Sequence, residues 1–216
     1  RDRLRGGILG ARKAAAVGMP NLRTGKTFDL DGLDMGLGDG EGPVGLACIM
    51  GGVECEVSSE TKNIVLEVAN FDMYAVRKSS MRHGLFTDAL TRFNKGQSPL
   101  QNPHVLSLLM QSIHDVAGGE QASVVVDNTT TNHQANTTAI APDFINARLG
   151  LSLSSEEIQQ LLENVEFIVE QGDELKITAP FWRTDIALRE DIVEEVGRLS
   201  GCDKLPREVP QRRIKP

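Results

Sequence analysis

The chain has 216 residues, of which 40% are hydrophobic and 25% are charged, and its formal net charge is -7 at pH 7. Such a composition is typical of a globular protein of one or two domains, since domains usually hold about 100 to 150 residues. The negative charge argues against a surface that neutralises phosphates over its whole extent, so any contact with nucleic acid has to be local. The three cysteines have neither a disulfide-framework nor a zinc-site spacing, and the apolar runs are far shorter than the roughly 20 residues that span a bilayer. We expect a protein of the reducing cytoplasm that does not cross a membrane.

The N-terminal half begins with a basic stretch, residues 1–13, that has no initiator methionine. We interpret it as part of a piece excised from a longer chain; a basic arm that binds nucleic acid is the alternative. Residues 21–70 then alternate short apolar runs with Gly, Asp and Pro, which is typical of strands and turns. A hairpin-like turn is predicted at residues 21–26, and buried strands are predicted at residues 44–50 and 64–68.

From residue 73 the apolar spacing changes to that of helices. Two short helices are predicted to end on Gly84 and Gly96, because glycine suits the left-handed backbone of a helix C-cap. A longer helix is predicted from about residue 103, where a proline fits the first turn, to about residue 116. Residues 122–126 predict a returning strand.

Residues 127–138 are rich in Thr and Asn and lack large apolar side chains, which predicts a linker. Beyond it we predict a helix at 142–149, a helix opened by a capping box at Ser154 and Glu157, a hairpin around 171–174 and a helix at 189–199. The predicted fold class is α+β, with three parts. They are a mixed-sheet domain with flanking helices at 1–126, a linker at 127–139, and a small winged-helix-like α+β module at 140–209.

A first group of candidate site residues combines an acid in an apolar run with small residues at turns. Glu67 stands alone among apolar neighbours, and a buried carboxylate without a partner is costly, so it should either meet a cation or line a polar pocket. Pairing with Arg77 or Arg92 is the simpler interpretation. The glycines at 51–52 and the segment 87–89 complete the group, although two adjacent glycines also form ordinary turns.

A second group consists of four acids near the C-terminal helix, Asp185, Asp191, Glu194 and Glu195. The last three share a helix face at spacings i, i+3 and i+4, and oxygen donors of this kind suit magnesium or calcium rather than zinc. The alternative is a solvated acidic face that favours the positive end of the helix dipole.

Five stretches taken in order resemble the beta subunit of bacterial-type phenylalanine–tRNA ligase, over roughly residues 40–120 and 140–207. Several separated motifs in the family's order are more specific than any one of them. The stretches are GLACIMGG, NIVLEVANF, VRKSSMRHGLFTDALTRFNKG, ARLGLSLSSEEIQQLLENVEFIVE and ITAPFWRTDIALREDIVEEVGRLSGCDKLP.

The resemblance implies a tRNA-editing domain followed by a small module. In this family, that module is described as a DNA-binding fold. It implies support for ATP-dependent attachment of phenylalanine to tRNA(Phe), and hydrolysis of tyrosine wrongly attached to that tRNA. The editing pocket would be lined by the positions that match Gly51, Glu67, Thr87 and Ala89. We expect Glu67 to accept the tyrosine hydroxyl, since a site built to bind a hydroxyl rejects an analogue without one. Thr87 would position the substrate for attack by a bound water, assisted by the ribose hydroxyl.

The same resemblance associates the positions of Asp185, Asp191, Glu194 and Glu195 with magnesium shared with the alpha subunit. The implied partners are that alpha subunit, in an α2β2 heterotetramer, and tRNA(Phe). ATP and phenylalanine would be bound by the alpha subunit, so this chain would not charge tRNA by itself.

The sequence departs from the family pattern in several places. The family's editing domain has a further N-terminal portion with a His-bearing segment, and none is found before residue 40. Acids are usual at the positions of Asn94 and Ser98, and an aromatic residue is usual at Cys202. Two other functions stay open: a noncatalytic scaffold that binds the alpha subunit or nucleic acid and whose editing pocket is vestigial, and a freestanding editing protein.

Overall fold

A computed structural model of the chain describes residues 2–13, 18–19, 22, 25, 27–129 and 132–205. It divides into two compact units, Arg1–Val126 and Asp127–Pro216. The division falls at the first residue of the predicted linker. Three predicted features lie partly outside the described residues: the turn at 21–26 except for Leu22 and Gly25, positions 130 and 131 of the linker, and the last four residues of the second module.

The first unit is built on antiparallel ladders. Its strands are β1 (Gly10–Lys13), β2 (Gly18–Met19), β3 (Phe28–Asp29), β4 (Met35–Gly38), β5 (Pro43–Leu46) and β6 (Met50–Gly51). One sheet has the order β1-β4-β5-β6, and β2 pairs with β3. The α+β class is confirmed, but the mixed sheet is not, because every ladder among the described residues is antiparallel.

The strand predicted at residues 44–50 is interrupted. β5 ends at Leu46, and a turn closed by a hydrogen bond from Ile49 N to Leu46 O, 3.1 Å, leads into β6. Cys48 lies in this turn with a φ of 59°, a conformation that a continuous strand does not contain.

The strands predicted at residues 64–68 and 122–126 are wrong, because neither segment pairs with a neighbouring strand. Ile64 and Val65 are each 45% exposed, and Val124 is 81% exposed. Apolar residues of strand type form a strand only where a partner supplies hydrogen bonds to the backbone.

The helices of the first unit begin and end close to their predicted positions. They are α1 (Met73–His83), α2 (Asp88–Phe93) and α3 (Asn102–Ala117). Asp72 caps α1 by accepting a hydrogen bond from Ala75 N, and Gly84 ends it with a φ of 63°. α2 ends at Phe93, three residues before the predicted glycine. The core of this unit contains buried side chains from strands, turns and helices: Leu22, Leu30, Leu46, Ile49, Val76, Leu85 and Leu90.

The second unit packs three helices with a three-stranded antiparallel sheet. Its elements are β7 (Thr137–Ile140), α4 (Pro142–Leu149), α5 (Ser155–Glu163), β8 (Ile168–Glu170), β9 (Leu175–Thr178) and α6 (Arg189–Ser200). The sheet order is β7-β9-β8. The predicted capping box of Ser154 and Glu157 is confirmed, as are the predicted hairpin and the three predicted helices.

Among the helices of the described residues, none has both the length and the apolar character needed to cross a bilayer.

Candidate functional site

The first candidate site begins where the N-terminus of α2 meets the turn between β5 and β6. Thr87 is the N-cap of α2, and its Oγ1 accepts a hydrogen bond from Leu90 N, 3.1 Å. The same hydroxyl donates to Ile49 O, 2.8 Å. The side chains of Ile49 and Leu90 are both buried in the core of this unit, so the hydroxyl joins the turn between β5 and β6 to the start of α2. Gly51 and Ala89 each lie two residues from this hydrogen bond along their own segments.

Two of the predicted pocket residues are small and exposed. A Cβ added to Gly51 would meet no atom within 4 Å, and Gly51 does not have a positive φ. The fold therefore does not require glycine at this position, and the space beside it is open. Ala89, the second residue of α2, is exposed as well.

Glu67 lies outside the helices and strands, and its residue surface is exposed. Within the described residues no ion pair joins Glu67 to Arg77 or Arg92, and neither arginine contributes to the pKa shift of Glu67, so the simpler interpretation of this acid is wrong. Protein atoms around the carboxyl nevertheless raise the pKa of Glu67 through desolvation.

The charge of Glu67 acts on the thiol of Cys48, which lies in the turn that precedes β6. Burial, together with the charge of Glu67, raises the pKa of the Cys48 thiol to about 12. Since the thiolate is the nucleophilic form, Cys48 is unsuited to attack an ester at neutral pH. The group therefore offers a carboxylate acceptor and open space rather than an activated nucleophile.

A buried ionic network supports the segment that leads to Thr87. Asp34 is fully buried and accepts hydrogen bonds from Arg82, from His83 Nε2 at 3.0 Å and from Asp31 N at 3.1 Å. Burial alone would raise the pKa of Asp34, but the hydrogen bonds from its neighbours, including His83, outweigh burial and lower it. The network fixes the last turn of α1, from which residues 84–87 lead directly into α2.

This network was not predicted from the sequence, in which no role was assigned to Asp34, Arg82 or His83. The signal that could have found it is the pair of basic residues in the last turn of α1, together with an aspartate in the turn at residues 31–34. Only the tertiary structure shows that these two segments meet.

The four acids of the second unit are arranged around arginines rather than around a common centre. Asp185 accepts two hydrogen bonds from Arg183, and the buried Glu195 accepts one from Arg183 and one from Arg198. Asp191 accepts from the backbone at the start of α6, and Glu194 is exposed.

As arranged, this cluster does not fit a divalent cation. Among the residues that the structure describes, no three His, Cys, Asp or Glu side chains are grouped as a metal site requires. The oxygens of Asp185 and Glu195 already accept hydrogen bonds from guanidinium groups. Magnesium at the four acids remains a prediction.

Comparison with known proteins bears on both units. A family model for the B3/4 domain matches residues 2–118, and a model for the tRNA synthetase B5 domain matches residues 138–202. The matches define the class of the chain: an aminoacyl-tRNA synthetase protein with a B3/4 domain followed by a B5 domain.

Relatives found by sequence comparison identify the family more specifically. Phenylalanine–tRNA ligase beta subunits from Geobacillus kaustophilus and Yersinia pestis are 35% and 32% identical over 179 and 214 residues. These alignments cover 82% and 98% of this chain, but 22% and 26% of the relatives. The beta subunit from Bacillus subtilis is 36% identical over 167 residues, 77% of this chain and 21% of the relative. The chain belongs to the family of phenylalanine–tRNA ligase beta subunits and spans about a quarter of the length of these relatives.

A solved structure was also matched, a crystal structure of an N-terminal fragment of the phenylalanyl-tRNA synthetase beta subunit from Pyrococcus horikoshii. The match has a TM-score of 0.47 and 19% identity, and it covers 93% of this chain and 58% of that one.

Proposed function

We propose that the chain supports ATP-dependent attachment of phenylalanine to tRNA(Phe) as part of a ligase beta subunit, and that its first unit removes tyrosine wrongly attached to that tRNA. One observation carries the editing proposal. Glu67 presents a carboxylate without an ion-pair partner among the described residues, in partly desolvated surroundings near the Cys48 turn that precedes Gly51.

Glu67 would act by distinguishing two amino acids that differ by one hydroxyl. Because its pKa is raised, the carboxylate is more basic than an ordinary glutamate and a stronger hydrogen-bond acceptor. Tyrosine would donate its phenolic O–H to this acceptor. Phenylalanine would leave the carboxylate desolvated without a partner, and sites of this kind discriminate strongly.

Thr87 would hold the pocket together rather than donate to the substrate, because its hydroxyl hydrogen is already donated to Ile49 O. Gly51 and Ala89 would leave room for the aminoacyl group, as expected from the open space beside Gly51. The ester would be cleaved by a positioned water, with the ribose hydroxyl of the tRNA as an assisting group.

The partners proposed for the chain follow from its family. They are the ligase alpha subunit, which would bind ATP and phenylalanine, and tRNA(Phe), with the α2β2 enzyme acting in the cytoplasm. Contact with tRNA would be local: Arg77 and Lys78 are exposed on α1 and would supply positive charge despite the negative net charge of the chain.

The editing proposal is tested by comparing Glu67→Ala with Glu60→Ala, which removes an exposed glutamate for which no role is proposed. Release of tyrosine from Tyr-tRNA(Phe) should fall at least about 10-fold in the Glu67 variant, since a hydrogen bond to a charged acceptor is worth about 1.5 to 3 kcal/mol. The Glu60 variant should match the wild type. Equal rates in all three proteins would refute the role of Glu67.

A second candidate function is docking of another protein without catalysis. The observation that favours it is α3, which buries none of its side chains and exposes Leu108 by 67% and Val116 by 88%. A scaffold of this kind would bind the alpha subunit equally well with or without Glu67. Wild-type chain that binds the alpha subunit but releases no tyrosine would favour this function.

A further inference from the structure

Arg183 lies among the acids of the second unit. Its Nε donates to Asp185 Oδ1 at 2.7 Å, and its Nη2 donates to Asp185 Oδ2 at 2.6 Å. The same Nη2 also donates to Glu195 Oε1 at 2.8 Å. The guanidinium lies over the ring of Phe167, with 5.8 Å between the guanidinium carbon and the ring centroid. Its side chain is only 21% exposed, so Arg183 is held from several sides.

The remaining oxygen of Glu195 is engaged as well, because Oε2 accepts from Arg198 Nη2 at 2.6 Å. Asp191 has a different task, since its Oδ2 accepts from Ala187 N and Leu188 N and so caps the start of α6. Both oxygens of Asp185 and both of Glu195 therefore already accept a hydrogen bond from a cationic group.

We propose that the guanidinium of Arg183 is the resident cation of this acidic cluster, and that a divalent cation binds Asp185 and Glu195 only by displacing it. Arg183 and the metal are thus alternative occupants of one site. This device lies in the second unit and is independent of the editing function proposed for the first.

Charge and hydration explain why arginine holds the site. Two carboxylates, those of Asp185 and Glu195, face two guanidinium groups, those of Arg183 and Arg198, so this part of the cluster is close to neutral and attracts a further cation weakly. The buried Glu195 needs a partner, because an unpaired buried charge is costly. A guanidinium is weakly hydrated and matches a carboxylate with two donors, whereas Mg²⁺ gives up its water reluctantly and demands octahedral oxygen ligands.

The proposal is tested with Mn²⁺ as the probe, by electron paramagnetic resonance on the 216-residue chain and on Arg183→Met. The variant should bind Mn²⁺ about tenfold more tightly or better, because the metal no longer has to break charge-assisted hydrogen bonds. A second change, Asp185→Asn, should abolish that gain. The matched control is Arg148→Met, which removes an exposed arginine paired with Glu190 outside the cluster, and it should bind Mn²⁺ like the wild type.

Two results would overturn the proposal. One is a folded Arg183→Met protein that gains no affinity for Mn²⁺. The other is wild-type chain that binds Mn²⁺ as tightly as the variant and loses that binding with Asp185→Asn.

A measurement on the wild-type chain covers the case in which Arg183→Met does not fold. The Nε–H resonance of Arg183, identified by its shift in Asp185→Asn, is followed during addition of Mg²⁺. An unchanged resonance without metal binding, or its displacement in step with binding, supports mutual exclusion. Metal bound at the cluster with the Arg183 resonance unchanged would show that the two coexist, and the proposal would then be wrong.

Discussion

At the scale of single residues, the turn before Gly51 holds a conformation that its side chain disfavours. Cys48 has a φ of 59°, in the left-handed region where an L-residue with a Cβ is strained by roughly 1 to 2 kcal/mol. The strained residue lies beside the candidate site, in the turn whose Ile49 O accepts a hydrogen bond from the Thr87 hydroxyl. Strained backbone of this kind is found at functional sites when the surrounding contacts enforce it.

We expect Cys48→Gly to stabilise the first unit by about 1 kcal/mol, because glycine adopts a positive φ without that strain. Urea unfolding measures the difference, and Cys202→Gly, at an exposed position without a positive φ, serves as the control. A loss of stability in Cys48→Gly would mean that the packing of the thiol outweighs the backbone strain.

A substitution at Gly51 distinguishes a requirement of the fold from a requirement of a ligand. A Cβ there meets no atom within 4 Å, so Gly51→Ala should change the free energy of unfolding by no more than about 0.5 kcal/mol. Tyrosine release should nevertheless fall, because the methyl group occupies space proposed for the aminoacyl group.

Gly45→Ala provides the matched comparison in the adjoining strand. A Cβ at this position would lie 3.3 Å from Gly51 Cα and from Met50 O, so we expect a loss of about 1 to 3 kcal/mol in stability. If Gly51→Ala retained full activity, the proposed location of the aminoacyl group would be wrong.

At the scale of elements, Asp34 joins the turn at residues 31–34 to the end of α1, and α1 leads to the N-cap of α2. The pKa of Asp34 is lowered in the folded chain from an ordinary value of 3.8. A carboxylate with a lowered pKa stabilises the fold above its unfolded pKa, and that stabilisation is lost as the pH falls through the folded pKa. The stability that Asp34 contributes is therefore present at neutral pH and disappears in acid.

We expect Asp34→Asn to cost about 3 kcal/mol at neutral pH, since it removes one partner of a buried charged network. The difference from wild type should shrink as the pH falls below 3.8, because the Asp34 carboxyl is protonated first in the unfolded chain and, at lower pH, in the folded chain as well. Denaturant unfolding across this range measures it. Asp31→Asn, at a residue that pairs with Arg82 from a half-exposed position, should cost no more than about 1 kcal/mol. A difference for Asp34→Asn that does not depend on pH would contradict the ionic role.

The elements that could be predicted from sequence are those specified locally. The C-cap at Gly84 and the capping box at Ser154 depend on residues within a few positions of each other, and both were found where predicted. Residues 64–68 show the limit, because their apolar pattern suits a strand but a strand also needs a pairing partner that sequence periodicity does not reveal. The break at Cys48 was missed because cysteine gives no signal of a positive φ.

The candidate site was predictable only in part. The residues alone grouped Glu67 with segments 51–52 and 87–89 but left Glu67 open to pairing with an arginine, and the resemblance supplied the roles of Glu67 and Thr87. The contact from Thr87 to Ile49 O joins residues 38 positions apart, and the network of Asp34 and His83 spans 49 positions. Contacts over such separations follow from the tertiary structure rather than from local pattern. The contact from Arg183 to Glu195 likewise joins residues 12 positions apart and was not predicted.

At the scale of the whole molecule, the two units have separate hydrophobic cores, and the candidate editing residues all belong to the first. We therefore expect Ile192→Ala, at a fully buried position of the second core, to destabilise that unit by about 2 to 5 kcal/mol. Tyrosine release by the chain should be unchanged under conditions in which the first unit stays folded. Hydrogen exchange, which reports on the two units separately, measures the stability, and a parallel loss of hydrolysis would show that the site depends on the second unit.

The role of Glu67 is tested by the ratio of hydrolysis rates for Tyr-tRNA(Phe) and Phe-tRNA(Phe), measured with the wild-type chain and with Glu67→Gln. We expect a marked preference for the tyrosyl ester in the wild type and a preference reduced about 10- to 100-fold in the variant, since the glutamine replaces a charged acceptor by a neutral one. Glu67→Gln should also be at least as stable as the wild type at neutral pH, because it removes a desolvated charge. A variant that keeps the wild-type ratio would show that Glu67 does not recognise the tyrosine hydroxyl, and the proposed editing role of Glu67 would then be wrong.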